Sequence, residues 1–482
     1  MIVPSVVETV FPLALGGVLF VAASARHELR LPGRGSKGTS SRGAHWGRRH
    51  ELRAILLPMK ACHAGRLSLG TMPSPLKSSR VVAEPAQSVV VVGPTQSGKT
   101  TSLAVPAILD WDGPVVAASV KSDLLHHTLG RRSRRGSVWC IDPARSTSAR
   151  PSHWSPLGDC STWEGARATA SDLAQSARFE GTTADGEFWN ATAAKLLSPL
   201  LFAAARDHRT MADVVRWVDT QEVSEVSFIL EAMGIMEALD AARATWCRDD
   251  RTRSSVYTTA ETILAPFSHS AVLPGTRFEP RALLGSANTL YLCAPSHDQR
   301  RLQGFFTALT QRVLSHAFAE ATRTGKPLDP PLLVVLDEAA HIAPLAELDG
   351  LAATCASHGI QLVTVWQDLA QVRARYGARA PTVLNNHRAK LFLPGIADPE
   401  TLDYASRLIG DEEVELPSIT RDPKGARSTT SSRTPRRLLP PEDLRCLRRG
   451  QAVLVYGTCP PAKLRLRPWW AELEEGRRKG SA

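Results

Sequence analysis

Short, predominantly apolar runs rich in β-forming residues recur along the chain at residues 89–92, 115–120, 137–141, 289–293, 332–336, 361–365, 389–393 and 451–456. Runs without polar alternation predict strands buried on both faces. Separated by stretches of helical periodicity, as here, they predict a largely parallel sheet covered by helices on each side. The interval 152–281 breaks this rhythm. It has no comparable run, and the helical spacing from Phe188-Trp189-Asn190 to Phe202, and again from Asp213 to Trp217, predicts an all-α insertion between two strands of the sheet. Phe188 and Trp189 read as core of that insertion rather than as a stacking platform. Residues 418–437 are Ser, Thr, Pro, Lys and Arg with almost no apolar content, which predicts a mobile loop.

Ahead of the first strand the pattern changes again. Residues 2–25 are apolar apart from Glu8 and a few hydroxyls, a length that suffices for one membrane-spanning anchor over residues 1–25. The next stretch carries Arg26, Arg30, Arg34, Lys37, Arg42, Arg48, Arg49 and Arg53, so 26–65 reads as a basic juxtamembrane linker. The positive-inside rule then places the bulk of the chain in the cytoplasm. The alternative is a buried core helix. At 482 residues and 43% hydrophobic content the chain is too long and too apolar to be disordered. Its eight cysteines show no metal-ligand spacing, which suits reduced thiols. The net charge is +11, and residues 421–482 alone hold 15 Lys and Arg against 6 Asp and Glu, with 461–482 read as a basic tail. That surplus points to polyanionic partners or, equally, to an arginine-biased composition.

The chemistry is concentrated at strand ends. The strand 89–92 opens onto Gly93-Pro94-Thr95-Gln96-Ser97-Gly98-Lys99-Thr100-Thr101. This is a phosphate-binding loop: its glycines let the backbone curl around phosphates, Lys99 adds a cation, and the Thr100 hydroxyl suits Mg2+. ATP and Mg2+ are therefore the expected cofactors. The strand 332–336 ends in Asp337-Glu338, where Asp337 is expected to hold the metal shell and Glu338 to activate the attacking water. The strand 361–365 leads into Trp366-Gln367, and Gln367 is either a γ-phosphate sensor or the polar start of the following helix. Lys121-Ser122-Asp123 follows a third strand, as nucleotide contacts or as solvated turn residues. Arg131-Arg132-Ser133-Arg134-Arg135 reads as a phosphate contact or a solvated basic face. Trp469-Trp470 is either a docking segment or packing against the sheet.

In serial order these features resemble the coupling-protein ATPases of type IV secretion and conjugation, the TraG/TraD family of the FtsK/HerA-like branch. The resemblance runs over about residues 66–470. Besides the phosphate loop it is carried by Ser119-Val120-Lys121-Ser122-Asp123 with Ile141-Asp142-Pro143, by Leu336-Asp337-Glu338-Ala339 and by Val365-Trp366-Gln367-Asp368-Leu369-Ala370-Gln371. Asp398-Pro399-Glu400-Thr401 and Leu438-Leu439-Pro440-Pro441-Glu442-Asp443-Leu444 complete it. It implies an α/β fold: a RecA-like P-loop NTPase domain over 66–151 and 282–460, with the all-α domain 152–281 inserted and an N-terminal membrane segment. It further implies a homo-hexameric ring in the bacterial inner membrane that translocates DNA by ATP hydrolysis. The implied partners are sequence-independent DNA, a relaxase or relaxosome accessory protein, and secretion-channel components. The alternative is a nucleotide-binding receptor that recruits a relaxase or protein substrate without pumping DNA. Two departures stand out. Relatives usually have two membrane helices where this chain offers one span, and many carry an Arg before the Gln-bearing strand where this chain has Cys355-Ala356-Ser357-His358-Gly359. Arg373, Arg375 and Arg388 are the candidate substitutes for that arginine finger.

Overall fold

The computed structural model describes residues 43–61, 65–74, 78–177, 184–267, 275–295, 297–421 and 427–471. The anchor expected over 1–25 and the linker up to residue 42 lie outside the described residues. Among the described residues no helix is long and apolar enough to cross a membrane.

Early in the chain come β1 (Leu56–Pro58), β2 (Ser68–Met72), β3 (Ser79–Val82), β4 (Val89–Val92), β5 (Val115–Ser119) and β6 (Val138–Ile141). A two-residue pair follows, β7 (Ser152–His153) with β8 (Thr276–Arg277). Then come β9 (Thr289–Cys293), β10 (Leu332–Asp337), β11 (Ile360–Trp366) and β12 (Ala389–Phe392). The last are β13 (Asp411–Arg421), β14 (Arg427–Arg437), β15 (Gln451–Tyr456) and β16 (Ala462–Arg465). Twelve of them form one sheet in the order β1-β3-β2-β16-β15-β12-β4-β11-β10-β5-β9-β6. From β12 to β6 every pairing is parallel. From β12 outward through β15, β16, β2, β3 and β1 every pairing is antiparallel.

Each of the eight apolar runs contains one of these strands. The sequence pattern does not reveal β1, β2, β3 and β16, which are only three to five residues long and, apart from β1, interrupted by polar residues or glycine. Strand pairing therefore runs past both boundaries drawn from sequence, with β1 ahead of residue 66 and β16 beyond residue 460. The expected mobile loop is also corrected, since β13 and β14 pair over eleven residues each as an antiparallel hairpin. Apolar periodicity could not signal it. Ion pairs across the strands stand in for a core: Arg433–Glu415 at 3.1 Å, Arg436–Glu412 at 2.6 Å and Arg437–Asp411 at 2.9 Å.

Alternate residues of the parallel strands feed two cores. Val89 and Val91 of β4 join Leu333 and Val335 of β10 on one face, with Leu103 from the turn Thr100–Ala104 and Ala107, Ile108, Leu124 and Leu125 from helices Val105–Asp110 and Asp123–Arg132. Val90 and Val92 join Leu332, Val334 and Leu336 on the other. That second core is continuous with six α-helices among the described residues between β7 and β8, the longest being Ala184–Arg206, and with helix Gln299–Thr324. Both helices read from sequence in the insertion are present, and Trp189 packs against the core while Phe188 stays 57% exposed.

One buried cation ties the amino ends of the strands together. Arg132 is read from sequence as a member of a basic surface cluster, yet it is fully buried. Its guanidinium donates to Thr289 Oγ1 (2.7 Å), Trp111 O (2.5 Å), Gly113 O (2.8 Å), Ala287 O (3.0 Å) and Asn288 O (3.2 Å). Burial pushes its pKa down to about 10. Helical phase decides this: Arg132 shares a face with Leu125 and Thr128, whereas Arg131 and Arg134 face solvent. A lysine offers three donors from a single point and cannot serve this fan of acceptors. Arg132→Lys should lose roughly 3 kcal/mol or more of unfolding free energy in chemical denaturation, and Arg134→Ala about 0.5 kcal/mol or less.

Candidate nucleotide site

In a parallel sheet the carboxyl ends of the strands share one edge, and β4, β11, β10 and β5 bring their loops there together. The loop after β4 passes close to β12: a Cβ at Gly93 would stand 2.7 Å from Leu393 Cβ and 2.9 Å from Ser97 Oγ, so only glycine fits. Gly93 N donates to Trp366 O of β11 at 3.0 Å. The loop then turns through the left-handed region at Gln96 (φ 63) and Gly98 (φ 95). Successive residues of this kind aim backbone N–H groups into a concavity, the geometry that holds phosphate at a helix N-terminus.

Three side chains define the chemistry. Lys99 is buried, and its ammonium donates to Gly93 O (2.5 Å) and Pro94 O (2.9 Å), folded back on its own loop. Burial lowers its pKa, opposed by the nearby charges of Asp337 and Glu338. Thr100 Oγ1 donates to Asp337 Oδ2 at 2.8 Å, joining the loop of β4 to the end of β10 across the intervening β11. Asp337 Oδ1 is buried without a hydrogen-bond partner. Burial pushes the Asp337 carboxyl up to about 6, with the Thr100 hydrogen bond opposing and the charge of Glu338 reinforcing the shift. A buried, unpartnered carboxylate oxygen beside a threonine hydroxyl is a hard oxygen donor set, and it suits Mg2+. Glu338, half-buried next to it, has φ 69.

Gln367 lies at the carboxyl end of β11, between the two motifs, and its backbone N–H donates to Gln371 Oε1 at 3.0 Å. Its strand is braced from below: Trp366 Nε1 donates to Thr364 Oγ1 (3.0 Å), and Thr364 Oγ1 meets His387 Nε2 at 3.1 Å. The His387 ring contacts Val383 O through Nδ1 at 2.7 Å, and full burial drops its pKa to about 4, which keeps it neutral. The motif at 398–401 serves the same element. Thr401 Oγ1 accepts from Leu369 N at 2.9 Å and donates to Asp398 Oδ2. Asp142 orders the loop after β6, accepting from Ser146 Oγ (3.0 Å) and Thr147 N (2.7 Å). Lys121 is exposed at the end of β5, where its charge is felt at Lys99.

The three candidate finger residues are all engaged within the chain. Arg373 pairs with Glu400, Arg375 donates to Pro344 O at 3.1 Å, and Arg388 binds Glu84 at 2.8 Å with its guanidinium over Tyr456. Arg388 precedes β12, whose Ala389 pairs with Val89, so it stands at the end of the sheet opposite the phosphate loop.

The sequence reading missed one contact of the loop helix. Its first turn, Thr100–Ala104, is wound in π register, with Val105 N donating to Thr100 O. In that register the donor for Thr101 O would be residue 106, a proline without an N–H. Trp469 N fills the vacancy at 3.0 Å, and its indole packs on His127 with ring centroids 4.8 Å apart. The signal is Pro106, legible only once the π register is known.

Fold and site together define a P-loop nucleotide-binding body in which one strand separates the phosphate loop from the acidic pair. The chain belongs to the type IV secretory system conjugative DNA transfer family, which matches residues 60–477. It is 25% identical over 398 residues to the conjugal transfer protein TraG of Escherichia coli, covering 75% of this chain and 61% of that one. It is 24% identical over 398 residues to protein VirD4 of Rhizobium radiobacter, covering 78% and 56%. The chain thus spans about three fifths of the length of these relatives. Among solved structures, the bacterial conjugative coupling protein TrwBΔN70 superposes with TM-score 0.65 at 19% identity, over 89% of this chain and 95% of that one. TrwB in complex with the ATP analogue ADPNP gives 0.65 at 20% identity, over 89% and 96%. TrwB with ADP and Mg2+ gives 0.64 at 19%, over the same shares. At these identities the likeness establishes the fold.

Asp337 generates a pH prediction. Its usual pKa of 3.8 is raised to about 6, so between those values the folded chain holds a proton that the unfolded chain has released. The Asp337 contribution to stability therefore falls as pH rises from about 4 to about 6, by on the order of 2 kcal/mol. Asp337→Asn should unfold at a higher midpoint than the wild type above pH 6 without ligand, and close to it at pH 4, as read by thermal denaturation.

Proposed function

We propose that this chain is a membrane-anchored, ATP-hydrolysing coupling protein that moves DNA toward a type IV secretion channel. The observation that carries the reading is the Thr100–Asp337 bond with the unpartnered Asp337 Oδ1 beside Glu338, on a sheet that sets β11 between β4 and β10. ATP and Mg2+ are the proposed ligands, in line with those named for the TrwB complexes.

Lys99 leaves the Gly93 and Pro94 carbonyls to place its ammonium against the β- and γ-phosphates, a short swing for a side chain already inside the loop. Thr100 and Asp337 hold Mg2+, which when bound neutralises phosphate charge and satisfies the orphan oxygen. Glu338 accepts the proton of the attacking water at its carboxylate. Gln367, between the motifs, orients that water or senses the γ-phosphate. Thr101 and the helix N-terminus add backbone donors to the phosphates. The finger arginine comes from a neighbour in a hexameric ring. Arg373 and Arg375, on the helix Leu369–Tyr376 that follows Gln367, are the proposed fingers and would have to exchange their present partners.

Residues 1–25 are the proposed single-pass anchor in the bacterial inner membrane. The basic C-terminal segment 421–482 supplies sequence-independent contacts to DNA, and a relaxase or accessory protein and the channel complete the assembly. The receptor alternative shares the nucleotide site but not turnover. In a hydrolysis assay with purified protein, Lys99→Ala should abolish ATP turnover. Glu338→Gln should lower it about a hundredfold while ATP still binds. DNA should raise the wild-type rate, and added salt should reduce the effect by weakening phosphate contacts. Wild-type turnover no higher than that of Lys99→Ala, with ATP bound, would establish the receptor reading instead.

A further inference from the structure

The turn behind the acidic pair is held by a side chain from another helix. Glu338, at φ 69, occupies a region that L residues enter at a cost on the order of 1–2 kcal/mol. The backbone around it is pinned on two sides. Ala339 N donates to Val365 O of β11 at 3.1 Å, and Glu338 O accepts from His341 N (2.9 Å) and Ile342 N (3.3 Å). Two further carbonyls of the turn, Ala340 O and His341 O, both accept from Gln303 Nε2 at 3.2 Å. One primary amide thus spends both its hydrogens on adjacent carbonyls. The reversed orientation would set its oxygen against two acceptors, so the contact has a single sense.

Gln303 is delivered from a fixed platform. It is half-buried in the first turns of helix Gln299–Thr324, whose Leu302, Phe305, Phe306 and Leu309 are in the core. Farther along, Arg312 donates to Asp159 (2.8 Å) and Asp172 (3.1 Å), and His316 Nε2 meets Asp159 at 2.9 Å. Burial acts to raise the Asp159 carboxyl, but the hydrogen bonds and charges of His316 and Arg312 outweigh it and hold the pKa at about 2. The helix cannot roll without breaking this buried cluster, which joins it to the helical insertion.

We propose that Gln303 is a positioning residue for Glu338, clamping the turn at 338–342 so that the carboxylate stays in its left-handed, water-facing pose. The proposal rests on the reading of Glu338 as the base in ATP hydrolysis. It also gives the helical insertion a hold on the turn, since the clamp and the Arg312 cluster share one helix.

The test compares Gln303→Glu, which offers only acceptors to the two carbonyls at neutral pH, with Gln303→Lys, which keeps a donor of similar reach. In the full-length chain, Gln303→Glu should lower kcat about tenfold or more. KM and ATP affinity should stay within about twofold, and the thermal midpoint should hold. Gln303→Lys should stay within about threefold of the wild-type kcat. Amide hydrogen exchange over 338–342 should quicken about tenfold in Gln303→Glu and little in Gln303→Lys. Wild-type exchange and wild-type kcat in Gln303→Glu would overturn the proposal. So would equal losses in both variants that follow a fall in thermal midpoint. Should the wild type not hydrolyse ATP at all, the reading of Glu338 as base fails on its own, while the exchange comparison still decides whether Gln303 holds the turn.

Discussion

A parallel sheet buried on both faces must return each strand by a crossover, so every strand-to-helix loop emerges on the same edge. The rest of this molecule follows from that constraint. With β11 between β4 and β10, the loop after β4 lies one strand away from the carboxylates after β10. Thr100 reaches Asp337 over the intervening strand, and that strand lends its Trp366 carbonyl to Gly93. Had β4 and β10 been neighbours, the polar end of β11 would have no place between phosphate loop and acidic pair.

The same edge gathers groups that a stable fold alone would not choose. Lys99 is buried against carbonyls, Asp337 is buried with one oxygen unanswered, and Glu338 sits in a disfavoured backbone region. On the proposed reading a phosphate would draw Lys99 off its carbonyls and a cation would answer the Asp337 oxygen, while the Glu338 backbone is held by its neighbours. The surrounding structure absorbs the discomfort through well-satisfied supports: the neutral His387 beneath β11, Thr401 at the start of the next helix, and the Arg132 fan at the opposite end of the sheet.

What could be read from the chain depended on how local the signal was. The phosphate loop and Asp337-Glu338 are contiguous motifs after apolar runs, and the structure brings them together. The parallel strands were legible because burial on both faces favours near-continuous apolar runs. The outer strands β1, β2, β3 and β16 were not, because three to five residues leave too short a pattern. The β13–β14 hairpin escaped notice because three of its cross-strand pairs are Arg with Asp or Glu and most of the rest carry Ser or Thr, which read as solvated polar chain. Arg132 and Gln303 escaped for another reason. Their roles depend on distant backbone carbonyls, and composition carries no trace of an acceptor.

The outer part of the sheet has a consequence for the order in which the protein can be made. β1, β2 and β3 are the first strands to leave the ribosome, yet they reach the parallel core only through β16 and β15, which leave last. The carbonyl of Thr101, at the mouth of the phosphate loop, likewise waits for Trp469. A nascent chain therefore carries an open sheet edge at β12 until β15 has been synthesised, and an unanswered carbonyl in the loop helix until Trp469 has followed. Closure of the sheet and bracing of the loop helix thus come together, well after the phosphate loop itself has left the ribosome.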